Sequence, residues 1–268
     1  MLKPTVIAIP VFALLIAVEA YYAARREDEY NGRDAWTNIA LGFGSVLFGA
    51  VFSFIQAFFY ESALTFAPYQ MPMNTWWAWA ILLVADDFAY YWFHRVSHEM
   101  RFFWNFHVVH HSSNQYNLSV AVRQSWFSGI AHWIFYVPLA FLGFPFWAFV
   151  TMHGLNLIYQ FWIHTEYVKK LPAIFEFILN TPSHHRVHHG VNNPYLDKNY
   201  GQTLLIWDRM FGSWQREEEE PVYGLVSQMD SYRLWDIQTW GVRWLIRQMR
   251  SAPRWQDKLR YLYKPPGW

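Results

Sequence analysis

The stretch Thr181 to Gly190, reading TPSHHRVHHG, places four histidines within six residues. Of these, His185, His188 and His189 stand at i, i+3 and i+4, a spacing that turns imidazoles toward one side of a helical turn. The same HxxHH pattern recurs at His107, His110 and His111, and His94 and His98 form an HxxxH pair just upstream. Eight of the 12 histidines therefore fall into three face-sharing groups. A single histidine on an apolar face is usually a hydrogen-bonded core residue, but three such groups in one chain point to metal ligation. Neutral imidazole suits zinc, copper, iron and nickel, whereas magnesium or calcium would need oxygen ligands. A catalytic zinc takes three protein ligands plus water, so eight or nine histidines imply two metals. Two redox-active irons with positions open to dioxygen use that number well.

Composition says where such a site would sit. Of 268 residues, 54% are hydrophobic and 21% aromatic, and only 15% are charged, against about a quarter in soluble chains. The net charge of +1 carries no nucleic-acid signature. The absence of cysteine removes disulfides, thiolate nucleophiles, iron–sulfur clusters and Cys-ligated zinc together. The 17 tryptophans point to an integral membrane protein, because Trp and Tyr concentrate where a membrane meets water.

The elements that must position the histidines read as an all-α, integral membrane helical bundle of about five transmembrane segments in one domain. Spans are expected near 4–24, 36–60, 76–93, 126–142 and 145–164, with a histidine-rich di-metal cap formed by 94–125 and 165–268. The first is apolar except for Glu19 and long enough to cross a bilayer. It is read as a retained helix because a basic leader and a small-residue cleavage site are lacking. Gly42, Gly44 and Gly49 offer the second span close packing surfaces. The turn at Gly143, Phe144 and Pro145 makes a tight hairpin of the last two.

Beyond Lys169 the apolar runs shorten. The run Glu217 to Glu220 reads as a solvated loop. The Trp/Arg-rich tail reads either as a helix lying on the membrane surface or as a packing helix. Lys and Arg fix the sidedness: Arg25, Arg26, Arg33, Arg95, Arg101, Arg123, Lys169 and Lys170 share one side if it is cytoplasmic, leaving Lys3 opposite. All histidine clusters and the C-terminus are then cytoplasmic.

The runs WFHRVSHE (Trp92 to Glu99), NFHVVHHSSNQYNLSVAVRQS (Asn105 to Ser125), YQFWIHTE (Tyr159 to Glu166) and TPSHHRVHHGVNNPYLDKNYGQTLLIWDRMFGSW (Thr181 to Trp214) resemble the fatty acid hydroxylase superfamily of membrane-bound, histidine-rich di-iron enzymes. HHSSxxYNLSxAxRQS and HHRVHHGxNxxYxDKNYG are similar to its alkylglycerol monooxygenase-like branch in particular. The resemblance implies two Fe ions, with zinc an accepted substitute in a purified form. It also implies O2 as co-substrate and oxidation of an unactivated C–H bond in a membrane lipid, next to an ether oxygen if the branch holds. Tetrahydrobiopterin is the reductant that branch implies, and other branches take electrons from a cytochrome or ferredoxin. His94, His98, His107, His110, His111, His185, His188 and His189 match the family's metal-binding histidines, and His164 matches a further one. Relatives often carry HxxxH there, where this chain has Gln160, so either Gln160 ligates through its carbonyl or His184 supplies the missing imidazole. The second is preferred.

Carboxylates are expected to hydrogen-bond the ligand N–H groups and offset the metal charge. Asp87, Glu99, Glu166 and Asp197 are the candidates by position, each with a helix-end or surface role as the alternative. His132 and His153 lie in apolar spans and read as buried, hydrogen-bonded residues. The competing functions are a lipid or sterol desaturase with the same cage and, more distantly, a metal transporter. A transporter would place its ligands on broken helices near the bilayer midplane.

Overall fold

A computed structural model of the chain describes residues 3–268, and the regular structure among them is helical, joined by two isolated bridges, Leu179 with Leu204 and Gly190 with Tyr223. The α-helices run in order α1 (Pro4–Arg26), α2 (Gly32–Leu64), α3 (Trp76–Glu99), α4 (Arg101–His111), α5 (Val137–Phe141), α6 (Phe146–Trp162), α7 (Ala173–Ile178), α8 (Pro182–His189), α9 (Ile206–Phe211), α10 (Leu234–Ser251) and α11 (Trp255–Tyr263).

α1 and α2 are long and apolar enough to cross a membrane, with mean hydropathies of 2.1 and 1.9. Only 17% of each apolar window is buried. The core helix of a soluble protein would be mostly covered, so these two helices offer their apolar faces to lipid. Between them the chain leaves the helix at Glu27, in left-handed backbone at φ 58°, and re-enters at Asn31, whose side chain accepts from the Arg33 and Asp34 amides. Of the three glycines expected to pack closely, Gly42 and Gly44 do: a Cβ would lie 2.6 Å from the Val122 carbonyl oxygen and 2.1 Å from the Trp126 indole nitrogen. Gly49 faces open space.

The expected fourth span is not one helix. Residues 126–142 form 3-10 turns at Ser128–Ile130 and His132–Phe135 before the short α5. Pro138 lacks the N–H of a continuous helix and clashes with one. The His132 ring and the Trp133 indole also donate to the Ser128 and Ile130 carbonyls. The hairpin turn beyond it holds, with Gly143 at φ 85°. Its carbonyl accepts from the Met71 amide at 2.9 Å, and the Phe144 carbonyl accepts from the Tyr60 hydroxyl. The turn therefore meets the connection between α2 and α3. Tyr60, Leu82, Tyr136, Phe144 and Phe149 fill the core between these elements.

At the other end, Met100 is extended and serves as both the last cap of α3 and the first cap of α4, so the chain folds back after one residue. That hairpin brings the HxxxH pair beside the first HxxHH turn. α10 covers the far side of α4, burying Ile237, Gln238, Gly241 and Leu245. Gly241 is needed there because a Cβ would come within 3.0 Å of Asn105 Cα. The tail thus packs through one face and leaves Trp235 exposed on another.

Candidate metal centre

Nine imidazoles converge in two adjoining sets whose donor atoms lie within 4.8 Å of one another: His94, His98, His107, His111 and His188 in the first, His110, His164, His185 and His189 in the second. Each HxxHH turn feeds both. His107 with His111, and His185 with His189, are i, i+4 pairs, offset by only about 40° around the helix, and each pair enters one set. The i+3 members, His110 and His188, lie about 60° the other way and enter the opposite set. α4 and α8 therefore face each other across two sites that share both helices.

The donors are spaced as ligands of common ions. Nε2 atoms stand 3.0 Å apart in His94 and His107, 3.1 Å in His107 and His111, and 3.1 Å in His111 and His188. In the second set the spacings are 2.9 Å for His164 and His185 and 3.3 Å for His110 and His164. Two nitrogens each about 2.1 Å from one ion sit at about these separations. Without an ion such contacts would be lone pair against lone pair or N–H against N–H unless tautomers alternated. His98 Nε2, His185 Nδ1 and His189 Nε2 are buried with no partner. This donor set fits two imidazole-loving metals and nothing harder.

Backbone carbonyls aim the rings. Nδ1–H donates to a carbonyl oxygen in His94 (Tyr200, 2.8 Å), His110 (Arg123, 3.1 Å), His164 (Gln160, 2.7 Å) and His188 (Lys198, 2.9 Å). That fixes the tautomer and leaves each Nε2 lone pair for metal. Burial, and then repulsion from His94, holds the His107 pKa well below its usual 6.5. Burial likewise depresses His111, His185, His188 and His189, and takes His110 down to about 4. Burial thus favours the neutral form of these imidazoles, the form a metal requires.

Two polar networks present those carbonyls. Asp197 and Asn199 adopt left-handed backbone, at φ 59° and 55°, so that the Lys198 and Tyr200 carbonyls meet His188 and His94. Asn199 secures the turn by donating to the His184 and Gln215 carbonyls and accepting from the Gln215 amide. Asp208 accepts from the Tyr200 and Gly201 amides and the Ser213 hydroxyl; burial raises its pKa to about 6. On the other side the buried Arg123 guanidinium donates to the Val109 carbonyl, the Ser112 hydroxyl and Asn38 Oδ1, 3.7 Å from Asp34. The SSNQYNLSVAVRQS residues after His111 are thus largely scaffold for α4 and for the carbonyl that orients His110.

The carboxylates named from sequence sit elsewhere than expected. Asp87 accepts from the Thr203 and Leu204 amides and the Trp207 indole, cinching the loop after Tyr200. Glu99 pairs with Arg95 one turn back, and Glu166 accepts from Tyr223. Asp197 alone approaches one of the nine imidazoles, 3.6 Å from His98 Nδ1.

His184, expected as a tenth ligand, is in neither set. α8 is a regular helix from Pro182, so its successive side chains diverge by about 100°, and His184 turns to Thr181 and Glu176. The Gln160 side chain donates to the Tyr90 hydroxyl. His153 lies 3.3 Å from buried Asp86. Glu217 departs from a solvated loop by pairing with Arg186 at 2.6 Å. Arg123, Asn199 and Asp208 were missed: no pattern in the sequence marks a side chain that acts by holding a carbonyl.

Residues 79–213, which contain all three motifs, match the family model described as fatty acid hydroxylase. The chain is 46% identical to the alkylglycerol monooxygenase of Danio rerio over 74% of this chain and 44% of that one. To the Homo sapiens alkylglycerol monooxygenase it is 39% identical over 97% and 59%. To the Delta(7)-sterol 5(6)-desaturase erg3B of Aspergillus fumigatus it is 28% identical over 56% and 42%. The chain spans about half the length of the curated relatives it matches. No solved structure matches it. With two interleaved imidazole sets built from the motifs that the family model spans, the chain belongs to the fatty acid hydroxylase family.

Proposed function

We propose that the chain is a membrane-bound di-iron monooxygenase that hydroxylates a C–H bond of a lipid, with ether-linked alkylglycerols as the substrate class. The single observation that carries this is the pair of adjoining sets of five and four imidazoles, joined to the likeness to alkylglycerol monooxygenases. Two bound irons would supply the activation of O2 and the oxidation of the C–H bond. The chain's own part is to hold both through Nε2 atoms whose Nδ1–H groups are tied back, and to keep the imidazoles neutral. Electrons come from a reductant, for which tetrahydrobiopterin is the first candidate and a cytochrome or ferredoxin the next.

The same reading places the nine histidines and the C-terminus on the cytoplasmic side of five crossings. The Met71–Gly143 hydrogen bond supports it. It puts the turn after 126–142 beside the connection between α2 and α3, which supports a crossing by this segment despite its broken helix. Neither connection contains Lys or Arg. A lipid chain would then enter laterally between helices while electrons and protons arrive from water.

Hydroxylation beside an ether oxygen gives a hemiacetal that collapses to an aldehyde and glycerol. Incubation of the purified chain with an alkylglycerol, reduced pterin and isotopically labelled O2 should release an aldehyde carrying one labelled oxygen, trapped as the alcohol. An unlabelled product with a new double bond would replace this reading with a desaturase.

A further inference from the structure

We propose that Glu19, in the first membrane helix, is a positioning residue for the second metal set. This rests on the di-metal reading above and assigns to α1 a part in it. Glu19 is the only charged residue of α1 between Lys3 and Arg25, and it is 6% exposed. It stands seven positions before the end of the helix at Arg26, roughly 10 Å along the axis at 1.5 Å per residue. A carboxylate at that depth is kept only where it is bonded, since an unpaired one costs several kcal/mol.

Both carboxylate oxygens are used, and both partners lie in the segments that flank His164. Oε1 accepts from the Thr165 hydroxyl at 2.5 Å, and Oε2 accepts from the Leu118 amide at 2.6 Å. Thr165 follows the ligand His164. Leu118 lies in the loop after α4, two residues from Tyr116, whose hydroxyl donates to the Ile163 carbonyl and whose ring stacks on His164 at 5.8 Å. Glu19 therefore joins the turn that carries His164 to the loop that flanks it.

His164 needs this more than its fellow ligands. The other eight stand in i, i+4 or i, i+3 groups within α3, α4 and α8, so a regular helix sets their relative positions. His164 stands alone, two residues past the last residue of α6, where no helical repeat fixes it. Its turn is held by three side chains: Tyr116 to the Ile163 carbonyl, Arg186 to the Thr165 carbonyl, and Glu19 to the Thr165 hydroxyl. Only the last reaches it from α1. α1 packs on α6, with Phe12 stacked on Phe161 at 4.0 Å, so the helix that carries Glu19 is itself registered against the one that ends at His164.

The test is a titration of the metal-stripped, detergent-extracted full chain with Co(II), read by ligand-field absorption and by metal per protein. The variants are Glu19→Ala, Thr165→Val and Thr165→Ser. Outer partners of ligands typically contribute 10-fold to 100-fold in metal affinity. Glu19→Ala and Thr165→Val should each weaken one of the two metals by that factor and alter its absorption, while the other metal binds as before. Thr165→Ser keeps the hydroxyl and should restore both; a general loss of packing would not be rescued this way. If Glu19→Ala does not fold, the Thr165 pair decides alone. Two metals bound by Thr165→Val with unchanged affinity and spectrum, or equal weakening of both, would overturn the inference and leave the di-metal reading standing. Fewer than two metals in the unaltered chain would overturn both.

Discussion

Replacing Asn199 separates backbone strain from hydrogen bonding at the turn that aims two ligands. Asn199→Ala keeps a Cβ at φ 55°, so the steric cost of left-handed backbone, roughly 1–2 kcal/mol, stays as it is in the native residue. It deletes three hydrogen bonds, to the His184 and Gln215 carbonyls and from the Gln215 amide, each contributing about 1 kcal/mol net. Together their loss is about 3 kcal/mol if the terms add. Asn199→Gly removes the same bonds without the steric cost and should be about 1 kcal/mol more stable than Asn199→Ala. At roughly 2–4 °C per kcal/mol for a chain of this size, thermal unfolding resolves the two.

Metal binding should respond differently. The side-chain bonds, not the strain, hold the Lys198 and Tyr200 carbonyls against His188 and His94, both in the first set. The two variants should therefore weaken one metal equally, by about 10-fold to 100-fold, and spare the second. Equal stabilities in the two variants would refute the strain argument. Unchanged affinity for both metals would refute the claim that carbonyls aim the rings.

The remaining predictions are shorter. Arg123→Ala removes the cation beside buried Asp34 and a donor to each of the Asn38 and Val109 oxygens and should cost about 3–5 kcal/mol of stability; in thermal unfolding, adding Asp34→Asn should cost less than its effect alone, and strict additivity would contradict the pairing. His184→Ala and Gln160→Ala should each retain two metals, because the first side chain serves Glu176 and the second Tyr90, while the Gln160 carbonyl that orients His164 survives truncation; a lost metal in either restores it as a ligand. A reporter fused after Trp268 should be active only in the cytoplasm, and activity on the outer face would overturn the orientation.

What was legible in the sequence was what periodicity and residue type carry. The three histidine groups, the place of His164 and the helices α1, α2 and α3 could be read because imidazole spacing and apolar runs are local signals. How the imidazoles divide between the two sets was not. His188 and His189 are neighbours in sequence, yet enter different sets because α8 faces α4 across the cage. The expected carboxylate partners proved to be backbone carbonyls, which every residue has and no pattern marks. The 126–142 run has the hydropathy of a span, but Pro138 and side chains competing for carbonyls break its helix. Glu19 stood out only as an exception to an apolar run; its partners lie about a hundred residues or more away.

The central claim is that the two imidazole sets hold two irons that do the chemistry. Iron per chain, measured by elemental analysis on the detergent-extracted protein while it turns over an alkylglycerol, tests this most directly. The account predicts about two irons, with loss of turnover when His107, His110, His188 or His189 is replaced singly by Ala. Undiminished turnover with one iron or none per chain would contradict it.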